Sequence, residues 1–599
     1  MIGNESASKN DKGGQVMSYR CFRGTALYPL IFLVLMTEAL AASPGAQVTL
    51  IHMGDIHGHL VEHPNVRSDG NGAPLGGLAR MYTLIKDIRK RHPGATITVN
   101  SGDTVQGSAE ALFTQGEAIV TVLNRFAIDV DNPGNWDYLY GTEVFLQQFV
   151  GPNARFHANA IAANLYYDGP PYATKTGDRV LPPYWITHVN GLKVGFIGYT
   201  SSRGPQAVKT EITRGFRLTE GEAEFPEFIH ILRDIKQVDL LVVISELGLA
   251  ANIDLSNRHP GIDVILSSDM HETTPHAIRT HTGTWVVDEG QDGQVLNEMT
   301  LKKHNGRMSL VDFKQHRITM DIRPDPEIDA LVKQVRAQFV SGPEFVSGKW
   351  INPFNGAPLV HPIDAIVGYT DVPLYRSNFS DENMPAVIEG SSHDFLADAF
   401  RSVARTDVGM IRGFRYGTHV SVGPIRYEDI YHFIPIGPLV AKGTITGHQI
   451  HRLVDDSAYA CLSTDVSYGW TGGWVAGLSG VTLDFDPYGG RLNYSSNYRV
   501  GGVPMDEKKR YSVAGYFYKE DPQQINRLST KDLEVLKDDN GQPMDAVEVV
   551  AQYLSSLPAQ RVTKENLKLD RFHLLRTLPA PLYGNKEIQP LSGVPVEPR

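Results

Sequence analysis

Short uninterrupted apolar runs, each closing on polar residues, punctuate the first half of the chain. Residues 48–53 (VTLIHM) lead into Gly54-Asp55-Ile56-His57, and residues 95–100 (ATITVN) into Ser101-Gly102-Asp103. Residues 240–244 (LLVVI) lead into Ser245-Glu246-Leu247-Gly248, and residues 263–266 (DVIL) into Ser267-Ser268-Asp269-Met270-His271. Runs of this length with little polar alternation predict strands buried on both faces, and residues 192–199 (LKVGFIGY) predict another. Between them, residues 77–90 (GLARMYTLIKDIRK) and 117–126 carry apolar side chains at helical spacing. The alternation predicts an α/β domain over residues 47–320, its sheets covered by helices. Pro324-Asp325-Pro326 then opens an amphipathic stretch, predicting a linker helix over 325–340 with proline in its first turn. A Gly/Pro-rich stretch, 341–358, ends that helix. A second α/β unit is expected over 355–582, with helices at 392–403 and 447–458 and strands at 480–485 and 511–516. The polar, Pro-rich tail, 583–599, is expected to be loose.

A chain of 599 residues is too long for one hydrophobic core, which agrees with two units. The formal charge of −11, without a Lys/Arg cluster, excludes the phosphate track that a nucleic-acid partner requires. Arg20 and Arg23 precede an apolar run, 26–36, followed by the small-residue segment Ala39-Leu40-Ala41. This pattern predicts a cleaved signal peptide over 17–42 and a periplasmic or secreted product; the run falls short of the roughly 20 residues of a membrane span. No membrane span is expected after signal removal. Only Cys21 and Cys461 are present, and Cys21 leaves with the signal. The mature chain therefore has no internal disulfide, and Cys461 is expected to be a buried apolar residue.

The polar residues at the strand ends carry the candidate chemistry. Carboxylates, histidines and an amide at the carboxyl ends of successive buried strands are the parts of a two-metal hydrolytic centre. Asp55 and His57 alternate on one strand exit and suit one ion. Asp103, after Gly102, suits a bridging carboxylate, and Asn135, in Pro133-Gly134-Asn135-Trp136-Asp137, offers an amide oxygen to a second ion. His393-Asp394 and His432 are read as structural.

Asp55-x-His57, Gly102-Asp103, Gly134-Asn135, Gly261-Ile262-Asp263 and the 267–271 run resemble the calcineurin-like metallophosphoesterases. More narrowly, the chain resembles the secreted 5′-nucleotidase family. The second half carries Gly413-Phe414-Arg415, Ile425-Arg426-Tyr427-Glu428-Asp429-Ile430-Tyr431, Pro435-Ile436-Gly437 and Thr446-Gly447 in that family's order. The resemblance implies a four-layer α/β/β/α metallophosphoesterase domain, a linker helix and an α/β substrate domain of the 5′-nucleotidase C-terminal type. It implies a metal site of Asp55, His57, Asp103, Asn135, Glu246, Asp269 and His271. Asn135, Trp136 and Asp137 fall on the catalytic segment. Arg415, Arg412 and Tyr416 are the candidates for gripping a small anionic phosphate or sulfate ester.

The chain departs from the family at three of these positions. Glu246 and Asp269 stand where histidines are usual, so the second site becomes all-oxygen and favours Mn²⁺, with Mg²⁺, Ca²⁺ or Fe²⁺ as alternatives and Zn²⁺ disfavoured. Trp136 stands where the family has a histidine that aids the leaving group; an indole donates only a hydrogen bond. That loss matters less for a thiolate leaving group, with a conjugate-acid pKa of about 8.5. The SoxB-type sulfate thiohydrolases resemble this chain at that Trp, at Gly413-Phe414-Arg415-Tyr416-Gly417 and at Val513-Ala514-Gly515-Tyr516. The nucleotidase base clamp lacks its aromatic at Ile436, although Phe517, Tyr518, Trp470 or Trp474 are substitutes. The expected function is thus an exported metal-dependent hydrolase with a nucleotide or other phosphomonoester as substrate, or a sulfur-carrier protein's thiosulfonate. The alternative is a binding protein that keeps the fold with weakened turnover.

Overall fold

The computed structural model describes residues 46–64, 73–375, 388–411, 419–462 and 475–576. The signal-peptide reading, Arg412, Arg415, Tyr416, Trp470, Trp474 and the C-terminal tail lie outside the described residues.

In the first half, the apolar runs form the middle of two six-stranded sheets. One sheet runs Arg307–Arg317, Val295–His304, Gln47–Met53, Thr96–Asn100, Val130–Asp131, Asn159–Ala160; its last four strands are parallel and the first two pair antiparallel. The other runs Ile278–Arg279, Trp285–Asp288, Val264–Ser267, Leu240–Ser245, Leu192–Tyr199, Tyr184–Val189, with its central four strands parallel. Strand alternation explains the layering. Val48, Leu50, Ile97 and Val99 face Val194, Phe196, Val242, Ile244 and Leu266 in a core between the sheets. Ile51 and Met53 point the other way, onto Leu78, Ile85 and Ile88 of the helix Leu78–Arg91. Ile197, Val243 and Ile265 likewise pack on Phe225, Phe228 and Ile253 of the helices beyond the second sheet. Both faces of each sheet are therefore covered, which is why its strands read as continuous apolar runs. The result is a four-layer α/β/β/α arrangement.

The linker helix spans Pro326–Arg336, with the Asp325 carboxylate accepting from the N–H groups of Glu327 and Ile328. It stops four residues before the expected end. Phe339 turns away to become fully buried in the core of the second half, and the chain cannot reach that core while still helical. The second half holds a five-stranded sheet, Gly477–Ser479, Val408–Ile411, Arg510–Phe517, Leu439–Thr446, Lys531–Val535, flanked by the helices Ser391–Ala404 and Ala546–Ser556. The helix Gly447–Leu462 packs on a further core with Val481–Phe485 and carries the buried thiol of Cys461.

Two contacts tie the halves together near the site. The helix Ala109–Thr114 of the first half buries Leu112 and Phe113 in the second half's core, with Phe113 edge-on to Tyr431. Arg336 of the linker helix bonds Glu110 of the first half and Glu428 of the second, both at 2.6 Å.

Asp545 caps the helix Ala546–Ser556 by accepting from the Glu548 N–H, and burial pushes its carboxyl up to about 7. The folded state holds this proton more tightly than the unfolded chain, whose carboxyl titrates near 4. The stability from that proton is full below about pH 4 and is lost as pH rises through about 7. Asp545→Asn is therefore expected to gain on the wild type in urea midpoint between those limits and to level off above them. A constant difference across that range contradicts the assignment.

Candidate metal centre

The parallel registers that align Met53 with Asn100, and Ser245 with Ser267, bring four strand exits to one edge of the sandwich. The exits then lace together. The Asp55 N–H donates to Gly102 O at 2.9 Å, the His57 N–H to Asp103 O at 2.9 Å and the Gly248 N–H to Ser268 O at 2.9 Å. Between sheets, Ser268 Oγ donates to Ser101 O at 2.9 Å, and the Asp269 N–H to Asp55 Oδ2 at 3.0 Å. Asp55, His57, Asp103, Asp269 and His271 all have positive φ, between 43° and 88°. Non-glycine residues seldom adopt this region, so each turn is held there by its surroundings. Gly134 is needed in the same place: a Cβ there would lie 2.3 Å from Asp103 Oδ1 and 2.7 Å from Glu246 Oε2.

Two groups of side chains are spaced to hold cations: Asp55, His57 and His271, and Asp55, Asp103 and Glu246, with the ligand atoms of each group within 4.8 Å of one another. All five residues are buried. The shared carboxylate is Asp55, whereas Asp103 was expected to bridge; Asp103 Oδ2 nevertheless lies 3.8 Å from His57 Nε2. His57 Nδ1 lies 3.1 Å from Gln106 O, which only accepts, and His271 Nδ1 lies 3.1 Å from Gln291 Oε1. With both Nδ1 protons donated outward, the two Nε2 lone pairs face each other at 2.9 Å. Two facing lone pairs need an electrophile near both, so these residues fit a divalent ion.

The electrostatics agree. Burial, and then Glu246, Glu289, Asp103 and Asp288, raise the Asp55 carboxyl well above the usual range. Burial, and then Asp288, do the same to Glu289, while burial lowers His52 to about 3. So many buried acids stay ionised together only around added positive charge.

Asn135 Nδ2 donates to Asp269 Oδ1 at 2.5 Å, while Asn135 Oδ1 is buried with no hydrogen bond. Asp269 lies beside the centre, where Asn135 holds one carboxylate oxygen and the Arg203 guanidinium pairs with the other, and neither of the two groups includes it. The Asp137 carboxylate accepts from the N–H groups of Thr104, Val105 and Gly134 at 2.8–3.0 Å and so braces the Asp103 loop. Burial holds that carboxyl at about 6. The Trp136 N–H donates to Asp103 Oδ1 at 2.7 Å, and its indole lines a pocket between the halves with Ile436, Phe517, Tyr518, Lys209 and Arg527. Lys209 also pairs with Asp521 across the halves at 2.6 Å.

Arg203 and Glu289 escaped sequence reasoning. Arg203 follows the strand Leu192–Tyr199 without a motif around it; the one available signal was its place in a loop after a buried strand.

Residues 366–521 match the model of the 5′-nucleotidase C-terminal domain. Protein UshA of Yersinia enterocolitica is 21% identical over 503 residues, 78% of this chain and 84% of that protein. Endonuclease YhcR of Bacillus subtilis is 22% identical over 469 residues, 74% of this chain; the chain spans only 34% of its length. Among solved structures, sulfate thiohydrolase SoxB of Thermus thermophilus, in complex with glycerol, aligns with a TM-score of 0.73 at 20% identity. The alignment covers 89% of this chain and 98% of that one.

Proposed function

Residues 366–521 belong to the 5′-nucleotidase C-terminal domain family, in a chain with the two-domain fold of SoxB, and from that premise we propose an exported metal-dependent ester hydrolase. The substrate is a phosphomonoester or nucleotide, or a protein-bound thiosulfonate, and the preferred ion is Mn²⁺. The observation that carries the reading is the pair of His57 and His271 Nε2 atoms, 2.9 Å apart among buried carboxylates. The proposed division is a metal domain over 47–320, a linker helix over 325–340 and a substrate domain over 355–582.

Asp55, His57 and His271 would hold one ion, and Asp55, Asp103, Asn135 and Glu246 a second. Ions bound there supply Lewis-acid charge and an activated water. The protein does the rest. Gln106 and Gln291 fix the imidazole tautomers, and Asp137 holds the Asp103 loop in place. Trp136 and Ile436 wall the pocket and exclude water, while Lys209 and Arg527 add positive charge at its rim. Arg412, Arg415 and Tyr416 are proposed to grip the anion.

No side chain of the 133–137 segment is free to protonate a leaving group, since Asp137 is spent on backbone donors and Trp136 does not titrate. Leaving groups of low pKa are favoured, thiolates and phenolates over sugar alkoxides. Trp136→His is accordingly expected to raise turnover of AMP by about tenfold or more while changing that of p-nitrophenyl phosphate little. Equal effects on both substrates would remove the leaving-group argument.

The reading itself is tested with Mn²⁺-loaded protein, by following phosphate released from AMP and sulfate released from a protein thiosulfonate. The Arg203–Asp269 pair favours a second reading, a binding protein with weakened turnover. Bound metal with no hydrolysis of any of these substrates, p-nitrophenyl phosphate included, decides for it.

A further inference from the structure

Directly behind the centre lies a second set of metal-liking side chains. His59 and His63 follow the strand Gln47–Met53, Asp292 sits in the turn before Val295–His304, and His432 comes from the helix Tyr427–Phe433 of the other half. The four are buried, at 4%, 5%, 0% and 8% exposure. The ligand atoms of His59, His63 and Asp292 lie within 4.8 Å of one another. The His432 ring centroid lies 4.5 Å from that of His59 and 6.2 Å from that of His63.

We propose that His59, His63, Asp292 and His432 form a separate divalent-cation site of the zinc class, joining the two halves of the chain. The spacing is the first argument. Two ligands 2.0–2.1 Å from a tetrahedral ion stand about 3.3 Å apart, and His59 Nε2 lies 3.4 Å from Asp292 Oδ1. Around it, His63 Nε2 lies 3.3 Å from Asp292 O, His63 Nδ1 3.4 Å from Pro64 O, and Gln294 Nε2 3.4 Å from His63 Nδ1.

The donor set agrees: three imidazole nitrogens with one carboxylate suit Zn²⁺ or Co²⁺ better than Mn²⁺. The site stands apart from the hydrolytic reading, because it shares no side chain with Asp55, His57, Asp103, Glu246 or His271. A backbone bond links it to the centre, the Asp292 N–H donating to Asp55 O at 2.6 Å.

The test uses the full chain, stripped with a chelator, saturated with Zn²⁺, desalted and assayed for zinc by mass spectrometry. His63→Gln and His432→Gln are each expected to hold one equivalent less than wild type. The same difference is expected between Asp55→Asn and Asp55→Asn/His63→Gln. Equal zinc in all pairs overturns the proposal. Failure of the hydrolytic centre reads differently, as an Asp55→Asn protein with the zinc content of wild type. Should a histidine variant not fold, Co²⁺ bound to the Asp55→Asn protein decides: a tetrahedral visible absorption supports the site, and its absence overturns it.

Discussion

Asp55→Asn is expected to cut turnover by about 10³-fold or more and to lower the bound Mn²⁺ of the full chain by at least one equivalent. Asp55 is the one carboxylate common to both ligand groups, so a single lost charge weakens both at once. The amide keeps the shape of the side chain, and its remaining oxygen still accepts the Asp269 N–H, so the loops should stay laced. Metal analysis and turnover on one preparation check this. Full activity at unchanged metal content would place the chemistry elsewhere.

Arg336→Met carries the largest expected effect on stability, a loss of about 3 kcal/mol. Burial works against the guanidinium charge, but Glu110 and Glu428 outweigh it and push its pKa up. Removing the arginine leaves two carboxylates facing each other at the junction of both halves and the linker helix, with the Glu110 side chain only 5% exposed. The loss would show as a lower urea midpoint. The triple variant Arg336→Met/Glu110→Gln/Glu428→Gln should recover most of it, since the penalty lies in unpaired charge and not in lost packing. A midpoint shift below about 0.5 kcal/mol in the single variant would mean that water already screens the triad.

The convergence of Asp55, His57, Asp103, Glu246 and His271 was legible in the sequence because each lies within four residues of the end of a strand that announces itself by an apolar run, and parallel strands align their carboxyl ends. The strands were legible for the same reason: burial on both faces leaves little room for polar alternation. Arg203, Glu289 and the His59–His432 cluster are different. Their meaning comes from contacts between residues far apart in the chain, such as Arg203 with Asp269 or His59 with His432, and no local period encodes them. The three backbone amides that the Asp137 carboxylate accepts from were likewise illegible, since a carboxylate looks the same in sequence whatever it faces.

The positive φ angles at Asp55, His57, Asp103, Asp269 and His271 set activity against durability. Every one of these turns would relax if glycine replaced the side chain, so the apoprotein stands to become tougher by discarding the side chains that line its centre. Selection for robustness alone would erode this edge of the sandwich first, leaving a hardy scaffold with nothing to grip.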